Sequence, residues 1–227
     1  MIAQNIERVK ASLPKGVRLV AVSKIKPVED IMEAYRAGQR LFGENYATEL
    51  RDKHALLPDD IQWHFIGHLQ AKQLKYYIDF VSMIHGVDSV EHLEDVNRAA
   101  AKAGRVVDVL LQCHIAREET KFGFSIDEVT SLDANRIAAL SNVRVCGVMG
   151  MATNTPDEEQ VRAEFHELKR IFDTLRGGLF AGHPEFCEIS MGMSHDYNIA
   201  ISEGSTIVRL GTTIFGPRDY TKKPVNH

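Results

Sequence analysis

No run of apolar residues in this 227-residue sequence approaches the length of a membrane span. The N-terminus, MIAQNIERVKASLPKG, mixes charges at helical spacing where a secretory leader would carry an apolar block. A cytoplasmic location with no membrane partner is therefore expected. Positive charge is also scarce, with 27 Lys and Arg against 31 Asp and Glu and a net charge of −4. No broad positive field attracts nucleic acid, which is excluded as a partner. Cysteine is limited to Cys113, Cys146 and Cys187, an odd and widely spaced set in or beside apolar runs. They read as buried thiols packed as small hydrophobes, neither a disulfide framework nor a metal site. His64 and His68 have zinc-ligand spacing for a helix, but Phe65, Ile66 and Gly67 between them read as a strand end entering a turn, so no metal is expected. Linkers rich in Gly, Ser or Pro are missing, as are repeats, and residues 1–227 are expected to form one domain.

What is present is an alternation. Short runs rich in β-branched residues are followed by longer amphipathic stretches, the pattern of strands that each feed a helix returning over a parallel sheet. After an N-terminal helix near 2–12, strands are expected at Arg18–Ser23, Leu41–Phe42, Gln62–Phe65, Val81–Gly86, Val106–His114, Arg144–Met149, Glu185–Ser190 and Thr206–Leu210. Helices are expected at Val28–Ala37, Tyr46–Leu56, Gln70–Tyr77, Val90–Ala103, Ile126–Ala139, Asp157–Leu175 and Tyr197–Glu203. Start signals support several: Lys26-Pro27 before the first of these, Asp88 and Ser89 as caps, and Thr155-Pro156-Asp157-Glu158. Eight such units suggest an α/β fold of the (β/α)8 TIM-barrel class with an extra N-terminal helix. An open doubly wound sheet is the competing architecture, because the second strand reads as very short.

Barrel chemistry sits where strands end at their C-terminal side. The first strand runs into Ser23-Lys24-Ile25-Lys26-Pro27, which places Lys24 at the barrel mouth. Partial desolvation there would leave an amine able to condense with an aldehyde, while a lysine on its own would as readily extend to solvent. Asn45, after the second strand, can hydrogen-bond a ring substituent or cap a helix, and His64 either offers a polar group beside aromatic surface or packs with Trp63. After the seventh strand, Ser190 and Ser194 supply hydroxyls and Gly192 lets backbone approach a ligand closely. After the eighth, Leu210-Gly211-Thr212-Thr213 gives amides and hydroxyls at a turn into a helix. The recurrent phosphate site of these barrels lies after strands seven and eight; two capped turns are the plainer alternative. Arg209 ends the last strand, adjacent to the first once a barrel closes, and can face the same cavity as Lys24. It could donate to a pyridine nitrogen or pair with a nearby carboxylate.

These segments resemble the pyridoxal phosphate homeostasis proteins over nearly the whole chain. The motifs are VAVSKIKP at 20–27, FGENYATE at 42–49, WHFIGHLQ at 63–70, GVDS at 86–89, ETKFGF at 119–124, GVMGMAT at 147–153, SMGMSHD at 190–196 and VRLGTTIFG at 208–216. The resemblance implies a barrel like the N-terminal domain of alanine racemases, holding pyridoxal 5′-phosphate as a Schiff base on Lys24, with Arg209 facing the pyridine nitrogen and Asn45 near the ring. It further implies that Ser190, Ser194, Gly211 and Thr212 hold the phosphate, that Met191 and Gly192 shape the approach, and that Lys26 assists transfer. The sequence departs from the family pattern at Lys72-Gln73 and at Gly86.

Racemisation needs acid–base groups on both faces of the substrate carbanion, and no partner for Lys24 is evident. A carrier or buffer in intracellular pyridoxal phosphate homeostasis, without catalytic turnover, is the leading expectation. A racemase or related enzyme completed by dimerisation is the alternative, and a barrel using Lys24 on another phosphorylated metabolite is a third. The chain ends at His227, shortly after the eighth unit and without a racemase-type second domain, so a monomer is expected, meeting apo-enzymes transiently. Neither the single tryptophan nor the scattered charges mark a protein-docking face.

Overall fold

Side chains along five of the strands alternate between two hydrophobic clusters. In the computed structural model, which describes residues 1–118, 122–219 and 221, Leu19 and Ala21 of β1 (Arg18–Val22) pack into one cluster and Val20 into the other. Successive Cβ atoms of a strand point to opposite faces, so two clusters mean a sheet buried on both sides. The smaller cluster, Val20, Met83, Leu110, Cys146, Met149 and Ile207, draws on five strands and fills the inside of a closed barrel. The larger lies between the sheet and its helices.

Eight parallel strands close the barrel: β1, β2 (Leu41–Glu44), β3 (Gln62–Phe65), β4 (Met83–Val87), β5 (Val107–Gln112), β6 (Val143–Met149), β7 (Glu188–Ser190) and β8 (Ile207–Leu210). Closure pairs β1 with β8 in the register Val20↔Arg209, so Arg209 shares the inward face with Val20. The open-sheet alternative is excluded. The strand β2 is longer than its apolar run suggested, because Gly43 and Glu44 also pair with β3.

The helices are α1 (Ile2–Ser12), α2 (Val28–Arg36), α3 (Ala47–His54), α4 (Val90–Lys102), α5 (Ile126–Thr130), α6 (Ala134–Ala138), α7 (Glu158–Gly177), α8 (Tyr197–Ser202) and α9 (Thr212–Phe215). In α1, Ile2, Ile6 and Val9 are buried at spacings of four and three, forming one apolar stripe. It packs on α2 and α9 as the extra N-terminal element.

Three expectations need correction. The segment Gln70–Tyr77 forms a 3-10 turn over Ala71–Tyr76, where Leu74 is the buried residue and no helical stripe exists. The expected helix Ile126–Ala139 is two, because the Asp133 carboxylate accepts from the amides of Asn135 and Arg136 and starts the second. Cys113 and Cys146 are buried, but Cys187 is exposed, since β7 begins only at Glu188.

Candidate functional site

Lys24 follows β1 on the inward face and lines a cavity of about 270 Å³ at the C-terminal mouth of the barrel. Its loop is held from behind by a buried ion cluster between the sheet and α3. Lys53 donates to the Ser23 carbonyl oxygen at 2.7 Å, to Glu44 Oε1 at 2.7 Å and to Glu49 Oε1 at 2.6 Å, one acceptor for each ammonium proton. Glu49 Oε1 also accepts the Ile25 amide at 2.7 Å, and Ser23 Oγ donates to Glu44 Oε1 at 2.6 Å. Both peptide groups flanking Lys24 are thus fixed by side chains. That support matters because Ile25 has φ +62°, a left-handed conformation costing a β-branched residue on the order of 1–2 kcal/mol. Burial, partly offset by Lys53 and reinforced by Glu49, pushes the Glu44 carboxyl up to about 7.

Around the cavity stand Asn45, Ser194, Arg209, Gly211, Thr212 and Arg218, with Val22, Ile66, Met151 and Met193 as apolar surface and His195 beside them. The amides of Gly211 and Thr213 converge on Ser194 Oγ at 3.3 and 3.4 Å, so the loops after β7 and β8 meet at a cluster of donors. Asn45 Oδ1 is buried without a hydrogen-bond partner, an acceptor left for a ligand that can donate.

Six expected residues therefore come together: Lys24, Asn45, Ser194, Arg209, Gly211 and Thr212. The other four stand elsewhere. Ser190 and Met191 are wholly buried outside the lining. Gly192, at φ +97°, is packed so closely that a Cβ there would meet Ala200 Cβ at 2.7 Å and Tyr197 Cα at 2.9 Å, and it does not line the cavity. Lys26 donates to the carbonyl oxygens of Phe215 at 2.8 Å and Pro217 at 2.6 Å. Residues 119–121 of the ETKFGF motif lie outside the described residues. A Cβ on Gly86 would press against the Gly67 carbonyl oxygen, which suits glycine at this departure from the family pattern.

Beneath the cavity runs a polar chain in which Arg209 and Ser190 were expected as ligand contacts, His64 was read as a polar group beside aromatic surface, and His85 was not expected. Arg209 Nη1 donates to Ser190 Oγ at 2.6 Å, Ser190 Oγ lies 2.9 Å from His85 Nδ1, and His85 Nε2 lies 2.8 Å from His64 Nδ1. Arg209 can only donate, and one arrangement consistent with that has the Ser190 hydroxyl donating to His85 Nδ1 and His85 Nε2–H donating to His64 Nδ1. Arg209 Nη2 is fixed by the Gly150 carbonyl oxygen at 3.2 Å. Burial lowers the Arg209 pKa to about 10, which leaves the guanidinium charged at neutral pH. His85, inside the apolar run of β4, gave no signal in the sequence; Glu49 and Lys53 did, at helical i,i+4 spacing.

Burial also lowers His64 to about 3 and His85 well below its ordinary value. A depressed histidine contributes stability that is present above its unfolded pKa and lost as pH falls. Glu44, raised to about 7, has the opposite sign, gaining stability as pH falls through 7 toward its unfolded value of 4.5. Between pH 7 and 4.5 the contributions of His64 and Glu44 oppose one another. The sign therefore rests on His85. Unfolding free energy should fall over that range, measured by urea titration, and His85→Gln should flatten the dependence. A wild-type protein no less stable at pH 4.5 than at 7 contradicts neutral buried imidazoles.

Among the described residues no three His, Cys, Asp or Glu side chains gather as a metal site, and no helix is long and apolar enough to cross a membrane.

The model of the alanine racemase N-terminal domain matches residues 1–219. A pyridoxal phosphate homeostasis protein of Vibrio alginolyticus is 38% identical, the match covering 97% of this chain and 99% of that one. The chain belongs to the pyridoxal phosphate homeostasis protein family. Among solved structures, PipY of Synechococcus elongatus PCC7942 without pyridoxal phosphate superimposes with a TM-score of 0.89 at 33% identity, covering 95% of this chain and all of PipY. The same protein with pyridoxal phosphate bound gives 0.86 at the same identity and coverage. An alanine racemase of Bartonella henselae, 16% identical with a TM-score of 0.69, shares the barrel over 99% of this chain and 62% of its own. Fold and family agree with the expectation drawn from the motifs.

Proposed function

We propose that the chain binds pyridoxal 5′-phosphate as a Schiff base on Lys24 and acts in intracellular homeostasis of that cofactor, as a carrier or buffer without catalytic turnover. One observation carries the reading: Lys24, the converging Gly211 and Thr213 amides and the unpartnered Asn45 Oδ1 all belong to one cavity mouth. The donor set fits a phosphorylated aromatic aldehyde. The cofactor supplies the reactive aldehyde; the protein supplies the amine and the surroundings.

In this reading Ser194, Gly211 and Thr212 bind the phosphate, Asn45 accepts from the ring hydroxyl, and Arg209 points its guanidinium at the pyridine nitrogen. Ser190 works through Arg209, and Met191 and Gly192 shape the loop from behind. Arg209 keeps its proton, so the pyridine nitrogen beside it stays unprotonated and the ring is a weak electron sink. That favours holding over turnover. Lys26 assists transfer to apo-enzymes.

Mixing loaded protein with an apo-enzyme tests the carrier role. Transfer is expected to outpace release into buffer, and Lys26→Ala to slow it while Lys24 stays loaded. Transfer no faster than spontaneous release rules out delivery. Exchange of amino-acid α-hydrogens in deuterated water at an enzymatic rate favours the racemase alternative instead.

A further inference from the structure

Resting on that reading, the remaining question is what neutralises the phosphate. Ser194, Gly211 and Thr212 offer neutral donors, and α8 and α9, with six and four residues, are too short to add much dipole. A dianion held by neutral groups at a cavity mouth calls for a nearby cation. Lys24 is committed to the aldehyde. Arg209 is tied to Ser190 and Gly150 beneath the cavity.

Arg218 is, with Arg209, one of two guanidinium groups in the lining. It is half-buried, and no hydrogen bond or ion pair links its side chain to another described residue. Its Nη2 packs directly on Gly211, so closely that a Cβ at that position would overlap it. The missing side chain of Gly211 lets the guanidinium lie against the loop whose amide points at Ser194 Oγ. Arg218 also lies just beyond the segment that Lys26 holds: the ammonium bonds the carbonyl oxygens of Phe215 and Pro217, on either side of Gly216 and immediately before Arg218. Gly216 adopts φ +71°, which turns the chain back over the barrel mouth.

We propose that Arg218 binds the phosphate of the ligand, and that Lys26 is a positioning residue that straps the segment carrying Arg218 across the cavity. The ligand class is a phosphorylated aldehyde, selected over its dephosphorylated form by this guanidinium.

Affinities for pyridoxal 5′-phosphate and for pyridoxal, which has the aldehyde and no phosphate, separate this role from a structural one. Spectrophotometric titration of Arg218→Gln is expected to show pyridoxal 5′-phosphate weakened by about ten-fold or more and pyridoxal unchanged within about two-fold. Inorganic phosphate should compete with pyridoxal 5′-phosphate in the wild type and less well in the variant. Lys26→Met should show the same selectivity with a smaller loss. Equal effects on both aldehydes, or none on either, overturn the proposal. Lack of a borohydride-fixed adduct in the wild type sinks the parent reading instead; normal fixation with no selective loss in Arg218→Gln sinks only this one.

Discussion

Lys53→Met is expected to cost about 3–5 kcal/mol of stability, a fall in melting temperature of roughly 10 °C, although the residue lies outside the cavity. Lys53 is the counter-ion of two carboxylates whose side chains are 0% and 9% exposed, Glu44 and Glu49. Removing one partner from a buried cluster strands charge that water cannot reach, which costs far more than the pair contributed. Glu44, already raised to about 7 by burial, can shed its charge by taking a proton. Glu49 is left as the main burden. Lys53→Met with Glu49→Gln should therefore recover part of the loss, since the glutamine oxygen can still accept the Ile25 amide. The loop should suffer as well: without Lys53 the Ser23 carbonyl is released, and Ile25 keeps its left-handed conformation on one contact less. Calorimetry of the single and double variants checks the first part, and the rate of cofactor loading the second. A single variant within 1 kcal/mol of wild type would mean that water reaches the cluster.

The second large effect is chemical. Lys24→Ala is expected to abolish covalent retention of pyridoxal 5′-phosphate, seen as complete loss of the Schiff-base absorbance band after gel filtration. The phosphate grip and Arg209 remain, so weak reversible binding should persist. Stability should change little, because the half-buried side chain lies at the cavity and the loop is fixed through Ser23 and Ile25. A variant that keeps the band after gel filtration points to another amine.

The barrel was legible because its strands are apolar on both faces: Leu19 and Ala21 face the helices while Val20 and Val22 face inward, and a run of this kind announces itself without tertiary knowledge. Strand ends were legible for the same reason, since polar residues that abruptly follow such runs mark the mouth. Glu44 was hidden because a carboxylate reads as a loop residue until its counter-ion, nine positions away on α3, is placed beside it. His85 was hidden inside Met83–Val87, where only closure brings it to Ser190 on a strand about a hundred residues further on. Ser190 and Gly192 fall in the expected motif but do not line the cavity. A one-residue step along a strand changes the face a side chain points to, and spacing alone does not say how deep in the barrel it lies.

Borohydride reduction of the loaded protein, followed by proteolysis and mass spectrometry, tests the central claim most directly. The account predicts one fixed phosphopyridoxyl group, on the peptide carrying Lys24 and on that residue. A group fixed on Lys26 instead, or no fixed group after full loading, contradicts it.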